Sequence, residues 1–585
     1  MGVRVGRWSL SALAVGSVVV VDPSGLAPFG PAKWLAISTL GALGGGLALW
    51  SGRRPLDRRS LVMWAVLLVA LSLGALSGGD LPTALLGQPD RHLGLVTWLL
   101  FFLLFCAGQQ LDDDDRRTLA RAVVVATLLL GTWAVWERVV GAPIDIETNT
   151  SRLTGPFGSA AYLGAAACLL VPISGGVALD RTTTKWWRVT AAASTALGTF
   201  ALVGSGARAA WVATAFVIAV VIVIVRPQRR AIAAGAVVLT AVIALSASHL
   251  GDIADRSGGA ASRFDEWAVA VRVLGDHPLA GVGPEGYRVA VSEGIDRDYE
   301  RTYGRDRVLP DRAHSGPLDV ALAGGPLAAI ASCLLVGFVC WRALRLVRAA
   351  ANATTAGVGA GVVAYALQQL ALFPLAEIDP IWWLVAGAVV SSAPAAADST
   401  IVLRRRRWTA VVAFVAAPVA LIVGTLDVAA DRLAKNALNE DDSAQAITDA
   451  ERAVTLRPDN TRYRMVAAEV LSRRGTLADI DAAIDQTEHA LSWSDDDPIA
   501  LDRRASLLLD RAGATRSDAD IRSAVVAWSA LVDRDPVRAR WQLQLGRAAA
   551  LAGDDDLAKI AWTAAADLSP DDPTPVRLLD ALEAQ

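Results

Sequence analysis

The chain has 585 residues, of which 54% are hydrophobic and 19% charged, and its formal net charge is −3. Apolar runs alternate with short charged loops up to about Leu426, whereas from Asp427 onward charged residues are dense and no run could cross a bilayer. This composition excludes a purely water-soluble globular protein. The charged residues are concentrated in particular stretches of the chain, so the near-neutral net charge says little about binding partners. We expect no nucleic acid among these partners.

Residues 1–426 predict an all-α polytopic membrane helix bundle of about thirteen spans in a lipid bilayer. The basic loops all fall on one side when the amino terminus is placed in the cytoplasm, as the positive-inside rule requires. The opposite, outer side then carries residues 251–314 and the tail, residues 427–585. The predicted spans are residues 8–22, 33–50, 61–77, 93–108, 118–136, 160–179, 188–204, 209–225, 231–250, 315–341, 355–376, 381–397 and 408–426.

Residues 251–314, called the polar segment below, are rich in arginine and cannot lie in lipid. They predict an aqueous loop domain on the outer face of the bundle. The candidates within it to bind an anion and to move a proton are Arg263, Asp276, His277, Arg312 and His314. Guanidinium groups stay charged and bind phosphate oxygens bidentately, and histidine titrates near neutral pH.

The tail carries a loose repeat marked by prolines about every 34 to 40 residues, with alanine-rich helical patterns between them. The marker residues are Pro458, Pro498, Pro536 and Pro570. This spacing predicts an α-solenoid of tetratricopeptide-like helical repeats, with an ordinary helical bundle as the alternative. A solenoid offers a concave surface, so a protein partner could bind there.

Five stretches together resemble the O-antigen ligase and O-antigen polymerase family. They are LLGQPDRHLGLVTWL from Leu85, RLTGPFGSAAYLG from Arg152, GSGARAAW around Arg208, RFDEWAVAVRVLGDHPLAGVGPEGY from Arg263 and AHSGPLDVALAGG around His314. The fourth is the most specific, with its arginine, tryptophan, His-Pro and Gly-x-Gly in order. Two positions depart from the family pattern: Ala207 replaces a usual serine, and Ser315 replaces a usual asparagine.

The resemblance implies a metal-independent glycosyltransferase without a cofactor in the bacterial cytoplasmic (inner) membrane. Its donor would be a glycan linked to a polyprenyl pyrophosphate, specifically undecaprenyl pyrophosphate. By the matched motifs, Arg208 and Arg263 would contact the pyrophosphate and His314 would act as the catalytic base. The residues themselves favour the same chemistry, because the leaving phosphate gains negative charge and an attacking hydroxyl needs a base near neutral pH. The acidic run Asp112 to Asp115 lies on the predicted cytoplasmic side, away from this chemistry.

Other residues are candidates for substrate binding, each with a structural alternative. Arg208 could instead anchor a span end at the interface, and Arg263 could be a surface ion-pair residue. His277 precedes a proline and also suits a role in loop architecture, while the Gly-x-Gly pair could form a turn whose amides approach a phosphate. The substrate-binding candidates are Arg152, Trp267, His277, Gly281, Gly283 and Arg312.

Two other functional classes compete with a glycosyltransferase: a polysaccharide or lipid transporter or flippase, and a non-catalytic scaffold that presents the tail. Transporters place charges at mid-membrane and often repeat their spans, whereas the notable charges here gather near one face. The enzyme hypothesis requires Arg208, Arg263 and His314 to converge on the outer side. The acceptor, which could be a glycan, a lipid or a protein, and hence the choice between ligase and polymerase, is left open.

Overall fold

The computed structural model describes residues 2–52, 54–144, 152–225, 260–305, 311–392, 400–401 and 406–584. Over these residues the protein is all-α, apart from a two-residue antiparallel pairing of β1 (Leu56–Asp57) with β2 (Thr400–Ile401). The helices of residues 1–225 are α1 (Gly2–Val19), α2 (Pro31–Ser51), α3 (Arg58–Ser77), α4 (Leu81–Leu86), α5 (Leu95–Gly108), α6 (Asp113–Val139), α7 (Ala160–Leu179), α8 (Lys185–Gly204) and α9 (Arg208–Val225).

The described part of the polar segment contains three helices, and four more helices follow in the described part of the membrane region. The former are α10 (Ala260–Asp276), α11 (Tyr287–Gly294) and α12 (Arg297–Tyr303). The latter are α13 (Gly316–Arg348), α14 (Ala353–Gln368), α15 (Asp379–Ser392) and α16 (Arg406–Asn439). Helix α13 bends at Gly324 and Gly325, directly before Pro326, because proline cannot donate the backbone hydrogen bond that a straight helix needs there.

The polytopic membrane fold is confirmed. Among the described residues, seven helices are long and apolar enough to cross a bilayer: α2, α3, α6, α7, α9, α13 and the part of α16 from Ala413, while α5 is a shorter apolar helix. Twelve of the thirteen predicted spans coincide with helices, allowing for shifted ends. The ninth prediction, residues 231–250, lies outside the described residues. Helices α7 and α15 form the centre, where nearly every side chain of α15 is buried.

Ion pairs join several of the described loops and helices at two faces of the bundle. At one face, Arg7 of α1 pairs with Asp115 of α6. At the other face, Asp22 pairs with Arg432 at 2.8 Å, and Arg91 pairs with Asp311 at 2.7 Å. The second face holds the polar segment and the tail, which we predict to be the outer side.

The tail consists of eight helices in which each packs against the next, as expected of stacked helix pairs. They are α17 (Ser443–Leu456), α18 (Thr461–Ser472), α19 (Leu477–Leu491), α20 (Pro498–Thr515), α21 (Asp518–Arg534), α22 (Ala539–Leu551), α23 (Asp555–Leu568) and α24 (Thr574–Glu583). The tetratricopeptide assignment itself stays a prediction. The predicted boundary at residue 426 falls inside α16, so the last membrane helix continues into the tail without a linker.

Three aspartates of the tail hold arginines of the polar segment. Arg288 pairs with Asp497 at 2.8 Å, Arg305 with Asp535, and Arg301 with Asp567. We call these pairs the arginine–aspartate row. Val537 of the tail also packs against the small apolar core formed by α10 to α12. The tail is therefore docked along the polar segment.

Candidate active site

A cluster of arginines forms where α8 turns into α9. The turn Ser205 to Ala207 places Arg208 at the first position of α9. Arg152, which precedes α7, donates from Nε to the carbonyl oxygen of Ser205 at 2.8 Å. This hydrogen bond fastens the Arg152 guanidinium group to the same turn that presents Arg208.

Arg263 joins this cluster from α10. Burial lowers the pKa of Arg152 from its usual value, and the positive charges of Arg208 and Arg263 lower it further. The charges of Arg208 and Arg263 thus act on the Arg152 guanidinium group, although the three residues come from three separate stretches of chain. A bound anion would offset these positive charges, and a pyrophosphate offers the oxygens for bidentate contacts.

Glu266 connects this cluster to His314. It lies one helical turn after Arg263 on α10, and its Oε2 is 3.1 Å from Nη1 of Arg263. The same oxygen is 3.3 Å from Nδ1 of His314, an ion-pair distance without the alignment of a formed hydrogen bond. The three residues predicted to carry the chemistry, Arg208, Arg263 and His314, are thus brought to one region.

His314 lies at a strained point of the backbone directly before α13. Its φ is +53°, a left-handed conformation that costs a residue with a side chain about 1–3 kcal/mol. The carboxylate of Asp319 accepts hydrogen bonds from the amides of Ala313 and Ser315, both at 3.0 Å. These two bonds hold the backbone of the turn on both sides of His314.

An aromatic ring, Phe373, packs against the histidine and two arginines. Its centroid lies 5.3 Å from that of His314, 5.1 Å from the Arg91 guanidinium and 5.5 Å from the Arg312 guanidinium. Arg312 is buried and pairs with Glu285 at 2.6 Å. Aromatic rings favour a cation over their face, so Phe373 stabilises the guanidinium groups of Arg91 and Arg312 beside His314.

Arg91 reaches this region from the loop before α5, where it pairs with Asp311. Burial disfavours a charge on Asp311, but Arg91 and Arg312 outweigh that effect and hold the pKa of Asp311 below its usual value. The amide of Leu93 donates to Glu285 at 3.1 Å, so the same loop also fixes the partner of Arg312.

The sequence analysis did not single out four residues of this region, which are Arg91, Glu266, Glu285 and Phe373. Of these four, only Glu266 could have been found from the sequence, because residues three positions apart on a helix lie close enough to form an ion pair.

The remaining substrate-binding candidates lie elsewhere or serve packing. His277 pairs with Glu293 at 2.8 Å on the exposed side of the polar segment. Gly281 and Gly283 have φ of +65° and +85°, and a Cβ on Gly281 would overlap the carbonyl oxygen of Leu322. The amide between them, on Val282, donates to that same carbonyl at 2.7 Å instead of facing the arginine cluster.

Trp267 lies next to Glu266 on α10 and is half-buried. Its ring packs edge-on against Phe264, with centroids 5.3 Å apart. Its Nε1 is buried without a hydrogen-bond acceptor among the described residues. Of the six substrate-binding candidates, the structure brings Arg152 to the arginine cluster and Arg312 to the aromatic ring beside His314.

The fold and this region define a polytopic membrane protein with a cluster of guanidinium groups and a histidine on one face. Residues 193–332 match the family model described as O-antigen ligase. This match supports the O-antigen ligase family, which the sequence motifs resemble, and with it a membrane glycan ligase or polymerase role. It spans the stretch from α8 to the middle of α13 and so includes Arg208, Arg263 and His314. A search of curated proteins found no match.

Proposed function

We propose that the protein transfers a glycan from a polyprenyl-pyrophosphate carrier to an acceptor hydroxyl at the outer face of the bacterial cytoplasmic membrane. The observation that supports this proposal most is the convergence of Arg152, Arg208 and Arg263, with Glu266 connecting Arg263 to His314. A lone interfacial anchor would not need three arginines in one region.

The groups present can perform the transfer in one displacement. His314 takes the proton from the acceptor hydroxyl as its oxygen forms a bond to the anomeric carbon of the donor. The bond between that carbon and the pyrophosphate oxygen breaks, and the electron pair leaves with the carrier pyrophosphate. Arg152, Arg208 and Arg263 stabilise the anion that develops, since preorganised donors act most strongly where charge appears in the transition state. We propose that these cations supply the charge in place of a metal ion.

The distribution of charge favours catalysis over transport. Arg91, Arg312 and His314 surround Phe373 at the side where the polar segment and the tail emerge. A transporter would be expected to carry its ionisable residues on the path across the bilayer midplane. We therefore place the donor head group at the outer leaflet, with its lipid chain in the bilayer beside the bundle.

The test is transfer by the purified full chain in proteoliposomes supplied with lipid-linked repeat units. Elongation into a ladder of products defines a polymerase, whereas a product formed only when a foreign acceptor is added defines a ligase. His314→Ala should lower the rate by about 100- to 10,000-fold, the usual contribution of a general base. His489→Ala, an exposed histidine of α19, is the matched control and should transfer normally. A fully active and correctly inserted His314→Ala variant would refute the base assignment.

A further inference from the structure

We propose that Glu266 is a positioning residue that orients His314 and couples it to the donor through Arg263. This inference rests on the proposed function, because it assigns Glu266 a part in the same transfer. Its basis is geometric: a single carboxylate oxygen, Oε2, contacts both Nη1 of Arg263 and Nδ1 of His314.

The contact with Nδ1 decides which nitrogen of His314 can act. A carboxylate accepts but cannot donate when it is ionised, so the proton of a neutral imidazole is favoured on Nδ1. The lone pair then lies on Nε2, which is the atom free to take the proton of the acceptor hydroxyl. After that transfer Glu266 faces an imidazolium and stabilises it, while the Nδ1 proton remains on the ring.

The contact with Arg263 links this histidine to the donor. Before a donor binds, Glu266 shares its charge between Arg263 and His314. A pyrophosphate that binds Arg263 competes for the guanidinium group, and more of the carboxylate charge then acts on His314. Donor binding would therefore strengthen the base at the moment when an acceptor hydroxyl must be deprotonated.

The surroundings allow this role. The Glu266 side chain exposes 19% of its surface and that of His314 exposes 25%, so solvent screens the pair only partly. Phe373 covers one side of the histidine ring. Among the described residues, the charged or titratable groups that act on Glu266 or His314 are Arg263, Tyr287, Tyr299, Asp311 and Asp319.

The test compares Glu266→Gln with Glu266→Asp in the reconstituted full chain. Glutamine keeps the shape but removes the charge, so the maximal rate should fall by about 10- to 100-fold with little change in KM for the lipid-linked donor. Aspartate should restore part of the rate. The double variant Glu266→Gln/His314→Ala should be no slower than His314→Ala alone, because the two residues act as one unit. The matched control is Glu293→Gln, which breaks an exposed histidine–glutamate pair in the same segment.

A second measurement does not depend on turnover. The rate at which diethyl pyrocarbonate modifies His314 at one fixed pH, followed by mass spectrometry, reports the surroundings of its ring. In Glu266→Gln this modification rate should rise, because the carboxylate contact with Nδ1 is lost, and in Glu293→Gln it should equal that of the wild type. An unchanged modification rate, a wild-type rate of transfer or strictly additive losses would each overturn the role of Glu266. If the modification rate rises while His314→Ala transfers normally, the pairing stands and the proposed base function falls.

Discussion

Arg305 of the polar segment and Asp535 of the tail form a buried ion pair, with 0% and 2% of their side-chain surfaces exposed. Arg305 also contacts Glu300, whose other oxygen accepts from the amide of Ala539 in the tail at 3.1 Å. Residues more than two hundred positions apart are thus joined at the end of α12, six residues before Asp311. The tail therefore holds the polar segment at the end of α12.

The buried pair predicts a large effect of one tail residue. Asp535→Ala leaves Arg305 with Glu300 as its remaining partner, and we expect the docked state to lose about 3 kcal/mol, at the low end for a broken buried pair. Undocking exposes the surfaces that the polar segment and the tail bury against each other. Limited proteolysis in detergent should therefore cut the Asp535→Ala variant within these two regions at a lower protease concentration than the wild type. Asp533→Ala, two residues away and exposed, should behave as wild type. Equal protection of both variants would show that the arginine–aspartate row does not hold the tail.

The arginine cluster predicts that charge alone will not suffice for transfer. Lysine keeps the positive charge of Arg208 or Arg263 but loses the planar fork that binds phosphate oxygens in pairs. Each lysine variant should therefore lower kcat/KM by about 10- to 100-fold, equivalent to about 1.4–2.7 kcal/mol. Arg272→Lys, a surface residue paired with Asp296, provides the control. Near-normal transfer by both cluster variants would favour simple anchoring of the span ends.

Orientation of the chain can be tested with exposed acidic positions. Single cysteines at Asp298 and Asp441 should react with a membrane-impermeant maleimide in intact cells, since both lie on the predicted outer side. A cysteine at Asp114, which is 71% exposed at the other face, should react only after the cells are opened. The background would carry alanine at Cys333 and Cys340, which are not fully buried. Labelling of Asp298 and Asp114 from the same side would contradict the predicted topology.

The membrane spans could be predicted because hydropathy is a local property of the chain. Apolar runs marked the helices, and basic loops sorted them into two faces. The candidate site could be predicted only at residues whose side chains themselves suggest the chemistry, such as the arginines Arg208 and Arg263 and the histidine His314. Glu285 and Phe373 are ordinary residues in the sequence, and their importance comes from neighbours that folding brings together. The Gly-x-Gly pair shows the opposite case, because a pattern typical of phosphate binding here serves close helix packing.

The uninterrupted helix α16 fixes the rotational setting of the tail relative to the bilayer. A helix turns by about 100° and rises about 1.5 Å per residue. Inserting or deleting a single residue between Asp427 and Asn439 would swing every tail aspartate around the helix axis, away from Arg288, Arg301 and Arg305. A chimera that joins the tail of one chain to the membrane region of another would therefore have to keep the number of residues in this part of α16, so that the tail leaves the helix in the same direction. A graft joined in the wrong phase would fold, yet present its repeats in a direction from which they cannot reach the polar segment.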